Sequence, residues 1–208
     1  MALVLISAVV SSRRWPERKE LSRKIVHIGT GPVTLLAWWL KIPASVAVPI
    51  ALGTTLIALI NHRWRLLPAV EDVQRLSYGT VAYGLAISLL LLAFWPEHAS
   101  VVCSGVLVMA FADGLAGLAG RAIPSAHWNV WGQRKSLVGT LTMAVVSLLV
   151  LLAMTAITQQ PTPLFSLVAI SLLATALEQV SCWGIDNLSV PLAVAFCWRW
   201  QSLQTLTS

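Results

Sequence analysis

The sequence is dominated by long apolar runs separated by short polar stretches. An apolar run of about 20 residues is the length of helix that crosses the hydrocarbon core of a bilayer. These runs predict helices at about 1–12, 25–41, 43–60, 79–95, 99–119, 138–158 and 164–181, followed by a short piece at 188–200. The predicted fold is therefore all-α: one domain over residues 1–208, a polytopic membrane bundle of about seven transmembrane helices plus a short C-terminal helix.

The composition excludes a soluble globular domain. Apolar residues make up 57% of the chain and charged residues 11%, with a mean hydropathy of +0.79, whereas soluble domains carry about 25% charged residues. Most of the ten Trp lie near the ends of runs, as in aromatic belts at membrane interfaces. The net charge of +6 fits basic loops and an anionic ligand, so no nucleic-acid partner is predicted. The three cysteines lack metal-ligand spacing and predict neither disulfides nor a zinc site.

The amino-terminal run predicts a membrane span and not a secretory signal. Basic residues follow the apolar stretch from Ala2 to Val10, which is the reverse of the order in a signal peptide. We therefore expect this run to remain attached, in a chain that is mature or bacterial-like.

The charged residues are distributed unequally between the two ends of the predicted helices. Stretches 13–24, 61–78, 120–137 and 182–187 fall on one side and hold twelve of the fourteen Lys and Arg. By the positive-inside rule that side is cytoplasmic. Seven of the eight acidic residues also lie at this side, which the rule does not explain. The pattern therefore predicts a polar site at the cytoplasmic face, open to a compartment that contains nucleotides.

The segment from Phe111 to Arg121 predicts a metal and phosphate site. On a helix Asp113, Gly117 and Gly120 share one face, so a carboxylate lies beside a strip without side chains. An acidic residue near the end of a span is expensive unless it is paired or functional, and Mg²⁺ is held by one or two carboxylates plus phosphate oxygens. The alternative is close helix packing through the small residues.

A second polar segment lies where a loop enters the next predicted span. Arg134, Lys135 and Ser136 precede the apolar run, and a helix N-terminus offers free N–H groups to a phosphate. The segment lacks the Walker A pattern. The alternative is a basic anchor at the inner membrane face.

Three further polar residues follow the run at 164–181. Glu178 ends the run, and Asp186 and Asn187 follow a predicted break at Gly184, before Pro191. Two carboxylates and an amide at a broken helix end predict metal binding or removal of a hydroxyl proton. Alternatively, Asp186 or Asn187 caps the last helix.

The first basic stretch contributes two residues to the same side. Lys24 and His27 share a helical face at i, i+3, which indicates phosphate binding or proton transfer, or only a basic anchor with an interfacial histidine. Glu71 and Arg75 predict a surface ion pair.

Five segments, in this order, resemble the membrane-bound phytol kinase and dolichol (polyprenol) kinase family, which is related to CTP-dependent diacylglycerol kinases. The segments are ELSRKIVHIGTG from Glu20, SYGTVAYGLA from Ser77, FADGLAGLAGR from Phe111, RKSLVGT from Arg134, and Glu178 followed by DNLSVPL from Asp186. The compact chain looks more similar to the phytol kinase branch than to the longer dolichol kinases.

The resemblance implies transfer of the terminal phosphate of a nucleoside triphosphate, typically CTP, to an isoprenoid alcohol with Mg²⁺. The most similar branch phosphorylates phytol, a step that serves tocopherol biosynthesis. The expected location is a bacterial or cyanobacterial cell membrane or a thylakoid membrane, with the site on the cytoplasmic side. Only the resemblance, and no residue pattern, indicates cytosine.

Each candidate residue has a predicted role. Mg²⁺ is expected on Asp113 with Glu178 or Asp186, and the hydroxyl base is left open between Asp186, Glu178 and His27. The predicted nucleotide and phosphate contacts are Lys135, Arg134, Arg121, Lys24, Ser136, Asn187 and the backbone at Gly117 and Gly120.

The rival functions are related enzymes and two non-enzymes. A dolichol or diacylglycerol kinase and a cytidylyltransferase-like enzyme would use similar groups. A small transporter is the first non-enzyme alternative, but transporter carboxylates lie near the midplane. A helix-packing subunit of a larger assembly is the second.

Overall fold

The computed structural model describes the backbone of residues 19–64 and 78–207 and the side chains of 24–64 and 78–204. These residues form seven helices and one β-hairpin. The elements in chain order are α1 (Lys19–Trp39), α2 (Ala44–Trp64), α3 (Gly79–Phe94), α4 (Ala99–Ala122), β1 (His127–Val130), β2 (Gln133–Ser136), α5 (Leu137–Thr158), α6 (Leu164–Val180) and α7 (Asp186–Thr207). The predicted span at 1–12 and the predicted Glu71–Arg75 pair lie outside the described residues.

Helix α4 is the centre of the bundle. It packs against α1, α3, α5 and α7, while α6 packs against α5 and α7, and α2 packs against α3. The side chains from Val101 to Ala110 are all buried. A helix that is apolar on every side is stable only when other helices or lipid surround it. The neighbouring helices cover most of the apolar surface of α4.

The outer surface of the bundle is apolar. Ile50, Leu56 and Ile57 on α2 are each more than half exposed, and a soluble protein rarely leaves so much apolar surface uncovered. Among the described helices, three are long and apolar enough to cross a membrane: Ala44–Trp64, Ala99–Ala122 and Leu137–Thr158. Gly79–Phe94 and Leu164–Val180 are shorter apolar helices. The helical class is thus confirmed, and seven spans remain a prediction.

The last helix is longer than predicted. The sequence predicts a short piece at 188–200, but α7 runs from Asp186 to Thr207 and contains Pro191. Proline removes one backbone hydrogen bond, and a helix tolerates this where neighbouring helices hold it straight. Gly105 of α4 provides such support, since a Cβ at that position would overlap the backbone carbonyl of Pro191. The two backbones therefore approach closely at the turn of α7 that contains Pro191.

A short β-hairpin, which the sequence does not predict, lies between α4 and α5. β1 and β2 pair antiparallel, with His127 opposite Ser136 and Val130 opposite Gln133. The two connecting residues, Trp131 and Gly132, have φ values of 49° and 76°. A two-residue loop with positive φ at both positions matches the right-handed twist of the strands it joins. The hairpin ends at Ser136, directly before α5, and so delivers Arg134 and Lys135 to the N-terminus of that helix.

Candidate active site

The middle of α4 is wound more loosely than the rest of the helix. Residues Val108–Asp113 form a π-helical segment inside α4, a feature that is rare and often found at functional sites. The segment ends at Asp113, the acidic residue that the sequence predicts as a metal ligand. No pattern in the sequence predicts this winding.

Two residues of α1 hold Asp113. Lys24 Nζ lies 2.7 Å from Asp113 Oδ2 and 3.1 Å from the Asp113 backbone oxygen, and His27 Nε2 lies 3.2 Å from Oδ2. His27 Nε2 also lies 3.0 Å from the backbone oxygen of Met109. Both neighbours of this nitrogen are acceptors, so Nε2 carries a proton and donates. The predicted shared face of Lys24 and His27 therefore points at Asp113.

The second ion pair has the same form. Lys135 of β2 donates from Nζ to the backbone oxygen of Glu178 at 2.7 Å and also to the Glu178 carboxylate. The side chains of Lys135 and Glu178 are only 9% and 12% exposed. Burial removes most solvent screening, so this pair fixes the hairpin against the end of α6.

Asp186 is held differently. Its backbone N–H donates to Ser181 Oγ at 2.6 Å, and Asn187 Nδ2 donates to Asp186 Oδ1 at 3.2 Å. Among the residues that the structure describes, no Lys, Arg or His side chain pairs with its carboxylate. Asp186 lies at the first residue of α7, outside the candidate spans. Burial, and then the nearby Asp113 carboxylate, raise the pKa of Asp186.

The three carboxylates meet. One oxygen from each of Asp113, Glu178 and Asp186 lies within 4.8 Å of the other two, although the residues come from α4, α6 and α7. With Lys24 and Lys135 beside them, three negative charges face two positive ones, which leaves one net negative charge if His27 is neutral. Such a group of hard oxygen donors is suited to a divalent cation such as Mg²⁺.

A polar cavity of about 500 Å³ opens over this cluster. Ten of the twelve predicted site residues line it: Lys24, Asp113, Gly117, Gly120, Arg121, Arg134, Lys135, Ser136, Glu178 and Asp186. The other two, His27 and Asn187, lie behind the wall, where they contact Asp113 and Asp186. The structure therefore brings the predicted residues together, and their roles remain predictions.

Gly117 and Gly120, the two glycines that follow Asp113 on its helix face, leave room for side chains of other elements. A Cβ at Gly117 would lie 2.9 Å from Lys24 Cε, and a Cβ at Gly120 would lie 2.6 Å from Ser136 Oγ. Ser136 Oγ also caps α5 by accepting the Gly139 N–H at 3.1 Å. The two glycines are predicted to contact phosphate through their backbone, and they also let α1 and the start of α5 approach α4 closely.

Several residues without a predicted individual role also line the cavity. They are His127, Gln133, Thr140 and Gln179, together with Ile123, Pro124, Ala116 and Gly139. Gln179 carries a signal in the sequence, because it is a second polar residue directly after Glu178 in an otherwise apolar helix. His127 and Gln133 carry none, since the hairpin that positions them has no repeating pattern.

Comparison with known proteins decides the family. The phytol kinase of Synechocystis sp. is 40% identical to this chain over 198 residues, which cover 94% of this chain and 85% of the relative. The chain belongs to the phytol kinase family. This result confirms the family that the five sequence segments indicate. The polar cavity therefore lies in a protein that belongs to a kinase family.

Two plant proteins of this phytol kinase family are more distant. Probable phytol kinase 2, chloroplastic, of Glycine max is 27% identical over 206 residues, with 92% of this chain and 68% of the relative covered. Phytol kinase 1, chloroplastic, of Arabidopsis thaliana is 27% identical over 198 residues, with 85% and 64% covered. No protein-family model and no solved structure matches the chain.

Proposed function

We propose that this protein is a membrane-embedded kinase that transfers the terminal phosphate of a nucleoside triphosphate to the hydroxyl of phytol, giving phytyl phosphate. One observation carries the proposal: in a chain of the phytol kinase family, three carboxylates and two lysines from distant segments converge on one polar cavity. Phosphoryl transfer depends mainly on positioning and on neutralising phosphate charge, and these groups are suited to both tasks.

Mg²⁺ fits the acidic cluster. Asp113, Glu178 and Asp186 offer only oxygen donors, and with its two lysines and a neutral His27 the cluster carries one net negative charge. When bound, the ion would neutralise negative charge on the phosphate oxygens. Lys24 and Lys135 keep the carboxylates in place, because each lysine binds both the side chain and the backbone of its acidic partner.

The two lysines also have capacity for phosphate. An ammonium group has three N–H donors, and each lysine uses two of them on its acidic partner. One donor per lysine remains for a phosphate oxygen, and both residues line the cavity. Arg121 and Arg134 add positive charge at the cavity wall. The volume of about 500 Å³ falls within the roughly 300–1,000 Å³ typical of small-molecule sites.

Asp186 is proposed to accept the proton of the alcohol. The other two candidate bases are already engaged. Lys135 Nζ donates to the Glu178 carboxylate, and His27 Nε2 donates to neighbouring acceptors. Asp186, by contrast, has no cationic partner among the described side chains, so its carboxylate is the least occupied of the candidate bases. Asn187 Nδ2 donates to its Oδ1 and holds the carboxylate in orientation.

CTP is proposed as the phosphate donor on the resemblance of the five segments alone. The positive-inside rule supports a cavity open to the cytoplasm, where nucleotides are available. The isoprenoid tail would remain among the helices, whose outer surfaces are apolar.

The test uses the full chain, purified in detergent with Mg²⁺. Each of CTP, UTP, ATP and GTP, labelled at the terminal phosphate, is supplied with phytol, geranylgeraniol, a long polyprenol or diacylglycerol. We expect labelled phytyl phosphate, with CTP as the best donor. Labelled polyprenol or diacylglycerol without labelled phytol would reject the proposed acceptor, and release of pyrophosphate with a nucleotide left on the lipid would identify a cytidylyltransferase.

A further inference from the structure

Gln179 connects two elements of the cavity wall. Its Nε2 lies 2.8 Å from Thr140 Oγ1 of α5 and 2.7 Å from Glu178 Oε2 of α6. Thr140 Oγ1 in turn donates to the backbone oxygen of Ser136 at 3.0 Å. Since Lys135 holds the other Glu178 oxygen, the contacts form a closed ring from the hairpin through α5 and α6 back to the hairpin.

The ring fixes which way the Gln179 amide points. A hydroxyl has one hydrogen, and Thr140 gives that hydrogen to Ser136. Thr140 Oγ1 therefore meets Gln179 as an acceptor, and the Glu178 carboxylate also only accepts. Both neighbours require a donor, so the amide NH₂ belongs at this position, and a flipped amide would set oxygen against oxygen.

The same orientation leaves an unsatisfied atom. Gln179 Oε1 is buried and has no hydrogen-bond partner in the described part of the chain. A buried polar atom without a partner lowers stability, and its presence in a folded protein calls for an explanation. Stability alone therefore does not explain why glutamine occupies this position. The two hydrogen bonds that Nε2 donates give a functional reason for the residue.

We infer that Gln179 is a positioning residue, which sets the Glu178 carboxylate for divalent-cation binding through the Nε2–Oε2 hydrogen bond. The inference rests on the proposed function, since it takes Glu178 as a metal ligand. Lys135 on Oε1 and Gln179 on Oε2 restrict rotation of the carboxylate about its last bond. Loss of such a partner behind a metal ligand typically weakens metal affinity or activity by about 10- to 100-fold.

The test measures Mn²⁺ binding to the full chain in detergent by the loss of the free-ion electron paramagnetic resonance signal. Gln179→Leu keeps the size of the side chain and removes the donor, and we expect about tenfold weaker Mn²⁺ binding. Thr140→Val removes one anchor of the amide and should weaken binding less. The double variant should bind no more weakly than Gln179→Leu alone, because both changes act on one hydrogen-bonded chain.

Gln160→Leu is the matched control. The side-chain amide of Gln160 lies 3.0 Å from Ser202 Oγ, so it also joins two segments, but it does not line the polar cavity. The Gln160→Leu variant should bind Mn²⁺ with the same affinity as the wild type. In kinase assays high Mg²⁺ should restore the activity of Gln179→Leu, which would not happen if the residue only supported the fold.

If Gln179→Leu binds Mn²⁺ as tightly as the wild type does, the inference is wrong, but the proposed function is unaffected. If Gln179→Leu does not fold, Thr140→Val decides, and unchanged affinity in that variant overturns the inference equally. Absence of Mn²⁺ binding in the wild type rejects the proposed metal site, and this inference with it.

Discussion

Lys24 Nζ binds both the Oδ2 atom and the backbone oxygen of Asp113, at 2.7 and 3.1 Å, across 89 residues of sequence. Lys135 makes the same pair of contacts to Glu178 across 43 residues. Each lysine therefore fixes the position and the direction of one carboxylate. The two contacts join α1 to α4 and the hairpin to α6, so the ion pairs that shape the cavity also hold its walls together.

Asp113→Asn should abolish lipid phosphorylation. The amide keeps the shape but loses the charge that faces Lys24 and the cavity. Loss of one preorganised charged group in an active site lowers kcat by about 10²–10³-fold, and phosphate transfer to phytol measures it. Glu97→Gln is the control, since Glu97 is exposed and is the one acidic residue outside the predicted inner side. Full activity in Asp113→Asn would contradict the assigned site.

Lys135→Met should lower both stability and nucleotide affinity. Removal of one partner of a buried ion pair costs about 3–5 kcal/mol, because the other charge is left uncompensated. The net charge of the cluster would change from one to two negative charges, so the KM for the triphosphate should rise. Thermal unfolding in detergent and steady-state kinetics measure the two effects.

Two further variants separate these effects. Lys135→Met/Glu178→Gln should recover much of the stability without activity, since no unpaired charge stays buried but a proposed metal ligand is lost. Lys41→Met should behave as wild type, because Lys41 is exposed at the opposite end. A double variant no more stable than Lys135→Met would argue against the ion pair as the cause.

Gly120→Ala should damage the site through a single methyl group. The new Cβ would lie 2.6 Å from Ser136 Oγ and 3.3 Å from Gly139 Cα, and such overpacking costs about 1–3 kcal/mol. Because Ser136 follows Lys135, activity should fall by about 10- to 100-fold through displacement of the lysine. Gly53→Ala is the control, with no atom within 4 Å of its new Cβ. Equal activity in the two alanine variants would show that the close contact at Gly120 has no role.

The cavity should open to the cytoplasm. In a variant with Cys103, Cys182 and Cys197 replaced by Ala, we place single cysteines at Asn129 in the hairpin and at Glu97 between α3 and α4, both exposed. Asn129→Cys should react with a membrane-impermeant thiol reagent in inside-out vesicles, and Glu97→Cys only in right-side-out vesicles. The reverse pattern would refute the orientation that the distribution of Lys and Arg predicts.

Much of the cavity can be found from the sequence because few charges occur in an apolar chain. A charge in a membrane helix is costly without a partner, so Asp113 and Glu178 stand out, and their lysine partners lie in the same set of loops. The distribution of charges does not predict which lysine pairs with which carboxylate. Lys24 and Asp113 lie 89 positions apart, and only the packing of α1 against α4 decides that they touch.

The features that the sequence reasoning missed are local and short. The hairpin of eight strand residues has no apolar periodicity, and the π-helical segment that ends at Asp113 leaves no compositional trace. Helix α7 continues past Pro191, where Gly105 of α4 lies against it. Gln179 is a related case, since its importance depends on Thr140, which lies in another helix.

The apolar runs alone determine that this chain forms helices and that their outer surfaces avoid water, because an unpaired backbone in lipid is costly and a helix satisfies it within one segment. The distribution of charges along the chain determines that the polar groups gather at one end. The tertiary structure alone decides how they pair, since contacts between side chains 43 or 89 residues apart depend on helix packing and on the turn of the hairpin. That pairing orients the Asp113 and Glu178 carboxylates beside Asp186, and the chemistry of the cavity depends on their orientation.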